Sequence, residues 1–230
     1  MNTMNQIILC GDIHGQFFKM LERLKRFQIE NSYIIHVGDF GVGFSNTNEH
    51  ISLKALNAHL QNANCHLYVI RGNHDNPSYF QEKSPYLDLE RITFLPDYSE
   101  LNLLGRSILL VGGATSIDRK IRIEGVDWWS DEAFQWKPDF PFKKYDLVVT
   151  HTQPNEFGYN GQSTNMEYYT AQDDTLTSDL LSERQEVSKL YEATKPAQWI
   201  FGHFHTFVNG QYENTKYRCL DIHELYLYVG

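Results

Sequence analysis

The chain of 230 residues has only three cysteines, Cys10, Cys65 and Cys219, widely spaced and odd in number. Neither a disulfide framework nor a thiolate zinc site is built from such a set, and a reducing compartment is expected. No apolar run approaches the ~18 residues that span a bilayer. The start, MNTMNQIILCGD, has no basic flank leading into a long apolar stretch. The expectation is a cytoplasmic protein with no membrane span and no secretory signal. Positive charge is scarce too: 20 Lys and Arg against 29 Asp and Glu give a formal net charge of -9. Such a surface repels phosphate backbones, which opposes non-specific binding to nucleic acid or anionic lipid while leaving room for a local positive site. Internal repeats, low-complexity tracts and linkers are absent, so residues 1–230 read as one domain.

What is present is a core-forming composition, 41% hydrophobic with 14% aromatic residues. Apolar runs of strand length alternate with amphipathic stretches. QIILC is followed by FFKMLERLKRF at helical spacing and then YIIHV, a βαβ pattern. Residues 46–62 predict a second helix, with Ile51, Leu53, Leu56 and Leu60 on one face, and HLYVI follows. After Arg91 the strands are close-spaced, RITFL, ELNLLG and SILLVGG, which predicts antiparallel pairing among them. DLVVTH and QWIFGH return to buried-strand composition. Between them lie a polar, tyrosine-rich segment, residues 152–177, and a helix through SDLLSERQEVSKLYEAT. A connection of that length inside a compact domain is more often functional than idle. The tail alternates as a hairpin plus a final strand. The economical architecture is α/β, with two sheets and flanking helices.

Polar groups follow five of the apolar runs. IILC leads to Asp12 and His14, YIIHV to Asp39, HLYVI to Arg71, Asn73 and His74, DLVVT to His151, and QWIF to His203 and His205. Carboxyl ends of strands in open α/β sheets line ligand crevices, so positions scattered along the chain can converge there. Asp12, His14, Asp39, Asn73, His151, His203 and His205 supply carboxylate, amide and imidazole donors without thiolate, a set suited to manganese, iron or zinc. Seven such groups exceed one small cation and suit two, with one carboxylate shared. Two divalent ions, offset by two aspartates and one hydroxide, leave a site of about one positive charge, matched to a phosphate. His36, His50, His59, His66 and His223 lie outside these ends and are assigned ordinary structural roles.

Taken in order, Asp-x-His, Gly-Asp, Gly-Asn-His-Asp, a lone His and Gly-His-x-His resemble the signature of the calcineurin-like metallophosphoesterase superfamily. The blocks run from Gly11 to His205. The resemblance implies a two-sheet β-sandwich flanked by helices, in four αββα layers, around a dinuclear centre of divalent or trivalent ions. It places Asp12, His14 and His205 on one metal and Asn73, His151 and His203 on the other, with Asp39 bridging. His74 matches the histidine that is no ligand and acts on the leaving group, a task suited to an imidazole titrating near neutrality. Arg71 matches an arginine that contacts phosphate in the serine/threonine protein phosphatase branch. That branch also carries Gly-Asp-x-Val-Asp-Arg-Gly, where this chain reads GDFGVGF, so the aspartate that orients the histidine and a second arginine are missing here. Residues 112–132 resemble a stretch of small bacterial and phage members and add Arg119 and Arg122 as candidates for phosphate; the competing reading is solvated loop arginines.

The implied function is hydrolysis of a phosphate ester, mono- or diester, by in-line attack of a hydroxide bridging both ions. Residues 153–177 would border the mouth and select the substrate. The alternative is a silent scaffold or phospho-ligand-binding protein of the same fold. Such a chain tolerates gaps among the ligands or at His74, and this one has none.

Overall fold

The computed structural model describes residues 3–44, 49–81, 89–158 and 165–229. Strand β1 (Gln6–Cys10), helix α1 (Phe17–Arg26), β2 (Ser32–His36), α2 (Glu49–Asn62) and β3 (His66–Val69) form consecutive βαβ units. The three strands pair in parallel, with Ile8 opposite Ile34 and Ile34 opposite Leu67. Helix α1 exists because Phe17, Met20, Leu21 and Leu24 recur at i, i+3, i+4 and i+7 and bury one face. Arg23, Lys25 and Arg26 in its last turn complement the negative end of the helix dipole. In α2 the buried face is Leu53, Leu56 and Leu60, whereas Ile51, expected on it, is 67% exposed. Two residues along a helix turn the side chain by about 200°, so Ile51 and Leu53 cannot share a narrow face. The predicted start of this helix at Asn46 lies outside the described residues.

Next come β4 (Ile92–Phe94), β5 (Ser99–Leu103), β6 (Arg106–Val111) and β7 (Leu147–Thr150). They are followed by α3 (Met166–Thr170), α4 (Leu176–Thr194), β8 (Gln198–Phe201), β9 (Val208–Tyr212), β10 (Thr215–Cys219) and β11 (Leu225–Leu227). The strands make a five-stranded sheet in the order β11-β1-β2-β3-β4 and a six-stranded sheet in the order β5-β6-β7-β8-β10-β9. Strands β5 and β6 are the antiparallel hairpin expected after Arg91, but β4 is not part of it. It pairs in parallel with β3 at the rim of the first sheet. The chain changes sheets between them: the Leu95 N–H still bonds Val69 O at 2.9 Å, then Pro96, which has no N–H, ends the pairing. The tail forms the expected hairpin, β9 with β10, and β11 returns to the first sheet, antiparallel to β1.

Side-chain alternation along the central strands produces the layers. Ile7 and Leu9 of β1, Ile35 of β2, Ile108 and Leu110 of β6, Leu147 and Val149 of β7, and Ile200 of β8 meet between the sheets. The opposite phase, Ile8, Cys10, Ile34 and Leu67, packs under α1 and α2. On the other side Leu109, Val111, Val148, Trp199 and Phe201 pack under Val187, Leu190 and Tyr191 of α4. Strands buried on both faces read as continuous apolar runs, which is why IILC and LVVT carry no polar alternation. All three cysteines are free and buried, and burial raises their thiol pKa values. Among the described residues, no helix is long and apolar enough to cross a membrane.

Candidate metal centre

The loops leaving β1, β2, β3, β7 and β8 come together at one end of the paired sheets. Asp12, His14, Asp39 and His205 form one group and Asp39, His151 and His203 a second; within each group the donor atoms lie within 4.8 Å of one another. Asp39 belongs to both. Asn73 joins the second group through Oδ1, 2.9 Å from His203 Nδ1 and 3.2 Å from His151 Nε2. In the first, His205 Nε2 stands 3.3 Å from Asp12 Oδ2 and 2.8 Å from His14 Nε2. All seven residues expected to gather from the five strand ends are therefore neighbours in space.

The backbone is shaped for this convergence. His14, Asp39, His203 and His205 all adopt left-handed conformations, with φ of 47°, 55°, 70° and 50°. Each costs about 1 kcal/mol or more and persists only where surrounding structure enforces it. Part of that enforcement is the bonding of the Ile13 and His14 N–H groups to Asp39 O, at 3.1 and 2.9 Å. The glycines leave room for the donors. A Cβ on Gly72 would stand 2.1 Å from Asp39 Oδ1, and one on Gly202 would stand 2.3 Å from Asp12 Oδ1. Asp75, the last residue of GNHD, is fully buried and accepts N–H bonds from Phe40, Gly41, Val42 and Gly72 at 2.7–3.2 Å. It ties the loop carrying Asp39 to the loop carrying Asn73. Burial and the nearby Asp39 charge push its carboxyl up to about 6.

The donor set tests well for a cation. His151 Nδ1–H donates to Val37 O at 2.8 Å, which turns Nε2 toward the oxygens of Asp39 and Asn73 at 3.1 and 3.2 Å. The Asn73 amide is fixed because Nδ2 donates to Ser116 Oγ at 3.0 Å, leaving Oδ1 to face the centre. Acceptor atoms thus converge, an arrangement that asks for positive charge between them. The same convergence shifts the titrating groups. Burial pushes His151 toward its neutral form, yet Asp39 and Asp12 carry its imidazole up to about 9. Burial alone would raise Asp39, but His151 and His74 hold its carboxyl well below the usual range. The bond from Asp12 raises His205, while burial and the charge of His151 depress His203.

Two catalytic expectations are revised by the surroundings of the side chains. Arg71 does not face the crevice. Its Nε and Nη2 bond Asp97 Oδ2 at 3.0 and 2.8 Å, and its remaining donors bond the carbonyls of Asp131, Glu132 and Ala133 at 2.5–3.1 Å. With every nitrogen engaged and the residue buried, Arg71 staples residues 131–133 to the sheet ends. Arg122 stands at the crevice instead, with Nη2 2.7 Å from His74 Nε2 and Nε 2.8 Å from Asp118 Oδ1. The backbone N–H of His74 bonds Asp39 Oδ1 at 2.8 Å, and its ring stacks on Phe44 at 4.8 Å. An arginine always donates, so His74 Nε2 accepts. Burial, with the Arg122 charge, depresses the imidazole to about 4 although Asp39 pulls it up, rather than leaving it near neutrality. Arg119 is committed to Asp173 and Asp179, both at 2.5 Å, and anchors its loop to the start of α4.

A cavity of about 380 Å³ opens over this floor. Asp39, Asn73, His74, His203 and His205 line its base, and Arg122 and Arg184 contribute cations to its walls. Ile117, Met166, Tyr169, Leu180 and Phe204 supply apolar and aromatic surface. From the polar segment, Asn165, Met166 and Tyr169 line the cavity; its residues 159–164 lie outside the described ones. The histidines given structural roles belong to neither donor group: His36 is buried against Phe40, His66 bonds Thr93, and the His223 N–H bonds Asp12 O at 2.8 Å. Sequence reasoning missed Ser116, Glu132 and Arg184. For Ser116 a signal existed, since GGATS leaves β6 in the same manner, apolar strand to glycine to polar residue, as the five donor-bearing ends.

The family model described as calcineurin-like phosphoesterase matches residues 6–207, and the chain belongs to that family. The family's activity is phosphoester hydrolysis, and the Asp and His groups here are positioned for metal. Among solved structures the chain is similar to TT1561 of Thermus thermophilus, at 14% identity over 98% of each chain with a TM-score of 0.55. It is also similar to the phosphopantetheinyl hydrolase of Mycobacterium tuberculosis, at 12% identity, covering 96% of this chain and 91% of that one, with a TM-score of 0.44. At such identities the first likeness is one of fold. No curated protein matches the chain.

Proposed function

We propose that this chain hydrolyses phosphate esters at a dinuclear centre. Asp12, His14 and His205 would hold one ion, Asn73, His151 and His203 the other, and Asp39 both. The observation that carries the reading is the pair of donor groups sharing Asp39 at the base of an open cavity. When bound, a metal pair supplies a water acidic enough to attack phosphorus at neutral pH and polarises the phosphoryl oxygens.

The chain's own residues do the rest. Arg122 takes the role first expected of Arg71: its guanidinium lines the cavity and binds a non-bridging phosphoryl oxygen through charge-assisted donors. Asp118 holds its Nε, Ser116 and the Asp127 carbonyl share Nη1, and Nη2 faces His74, so the group is fixed where it lines the cavity. His74, beside Arg122, stands at the leaving oxygen. Its ring is held by Arg122 and would protonate or hydrogen-bond the departing oxygen. Ile117, Met166, Tyr169, Leu180 and Phe204 form the wall for the alcohol part of the ester and exclude water from it.

The reading is tested with the chain loaded with manganese, iron or zinc and offered phosphomonoesters, linear and cyclic diesters, dinucleoside polyphosphates and phosphopeptides. Metal-dependent release of phosphate or a nucleotide from one class, abolished by Asp39→Asn, is expected. Binding of two ions with no turnover on any class would favour the silent scaffold.

A further inference from the structure

We infer that Ser116 and Glu132 form a positioning device that ties the amide of Asn73 to the guanidinium of Arg122, so that ion binding and phosphate binding reinforce one another. The inference rests on the dinuclear reading above. It starts from the valence of one hydroxyl, which has a single proton to donate and two lone pairs to accept with. Ser116, 1% exposed, uses all three. Its Oγ donates to Glu132 Oε2 at 2.9 Å, and accepts from Asn73 Nδ2 at 3.0 Å and from Arg122 Nη1 at 3.2 Å. The Ser116 N–H bonds Glu132 Oε1 at 2.6 Å and holds the carboxylate in place.

Glu132 thereby sets the polarity of the whole chain of bonds. Burial pushes its carboxyl up to about 7, while the Ser116 bonds and the Arg122 charge favour the ionised form. The ionised carboxylate takes the hydroxyl proton, so the lone pairs of Ser116 face N–H groups. That requirement turns Nδ2 of Asn73 toward Ser116 and Oδ1 toward His151 and His203. If the carboxylate becomes an amide, its NH2 can donate to Ser116. The hydroxyl proton is then free to point at Asn73, and the amide gains reason to flip and present N–H to the centre, where it repels a cation. Arg122 shares the hub. Its Nη1 is shared by Ser116 Oγ and the Asp127 carbonyl, with Asp118 on Nε and His74 on Nη2, so an altered Ser116 loosens the group that would meet phosphate. Ser116 and Glu132 touch neither substrate nor ion and act through Asn73 and Arg122.

The test is calorimetric titration of the metal-free full chain with Mn2+ alone, for wild type, Glu132→Gln, Ser116→Ala and Ser116→Thr. Inorganic phosphate is then titrated into the loaded proteins. In Glu132→Gln and Ser116→Ala one ion should bind as in wild type, while the other weakens by about 10- to 100-fold, the usual effect of removing a partner behind a ligand. Phosphate affinity should fall in the same variants, and Ser116→Thr, which keeps the hydroxyl, should restore both. Two-ion uptake and phosphate affinity unaltered by either substitution would overturn this device alone. Equal weakening of both ions together with a lowered thermal midpoint, unrelieved by Ser116→Thr, would also overturn it, since a merely structural residue behaves so. A wild type that takes up no pair of ions would remove the dinuclear reading beneath it.

Discussion

Replacing Arg71 and Arg122 separately by alanine divides an arginine spent on structure from the one proposed to bind phosphate. Arg71→Ala removes a buried guanidinium bonded to Asp97 and to three backbone carbonyls. Breaking a buried pair by deleting one partner costs about 3–5 kcal/mol, because the other charge is left behind. For a chain of this size each kcal/mol lowers the thermal midpoint by about 2–4 °C, so a fall of roughly 6–20 °C is expected. Arg122→Ala forfeits one charge-assisted bond to the phosphate, about 1.5–3 kcal/mol. At about 1.4 kcal/mol per factor of ten, kcat/KM should drop roughly 10- to 150-fold. Its partner Asp118 keeps 25% of its side chain in water, so the thermal midpoint should move less than with Arg71→Ala. Scanning calorimetry and steady-state kinetics with one phosphate ester give both quantities. If Arg71→Ala melts as wild type does and loses phosphate affinity, while Arg122→Ala is kinetically silent, the assignment of the two arginines is reversed and the reasoning fails.

His74→Ala should retain both ions yet lose turnover on the order of 100-fold with an alkyl alcohol as leaving group. With p-nitrophenol, which departs without a proton, the loss should be far smaller; equal losses would remove His74 from the leaving oxygen. Asp39→Asn should weaken both ions in a metal titration because Asp39 belongs to both donor groups, and one unaffected site would contradict its shared position. Glu183 is buried on α4, and burial raises its carboxyl while Oε1 accepts from Thr115 Oγ1 and Phe134 N–H at 2.9 and 3.2 Å. The folded state therefore holds this proton longer than the unfolded one, so its contribution to stability is full below about pH 4.3 and is lost as pH rises toward the elevated value. Urea midpoints of the metal-free chain from pH 5 to 8 should fall less steeply in Glu183→Gln, which keeps both acceptor bonds, and parallel slopes would refute the shift.

Much of the fold was legible because burial writes itself into the strands. Parallel strands covered on both faces have to be apolar throughout, and helices covering them have to repeat apolar residues every three to four positions. QIILC, DLVVT and QWIF could be read on that ground alone. Strand β4 could not be placed. RITFL and ELNLLG are equally short and apolar, and which sheet each joins depends on partners in three dimensions. Ile51 misled for a related reason: an apolar residue on a helix surface is common and says nothing about which way it points.

The seven donors show how far local pattern reaches. Each stands in a short polar turn after an apolar run, and the turns carry glycine because a Cβ at Gly72 or Gly202 would collide with a neighbouring carboxylate. Type and order of the candidate donors are therefore local properties, fixed residue by residue along the chain. The use of the arginines is not local. Arg71 and Arg122 are equally cationic in sequence, and only packing decides that one is spent on Asp97 and backbone carbonyls while the other meets the cavity beside His74. The polarity of Asn73 is likewise decided by Ser116 and Glu132, from a loop more than forty positions away, because the orientation of an amide depends on what surrounds it and not on what precedes it. By itself the sequence determined the layers, the donor set and the charge it can hold. Tertiary structure alone decided which charges are neutralised, since a charge is cancelled by whatever lies within a few ångströms, and distance in space is not written along the chain.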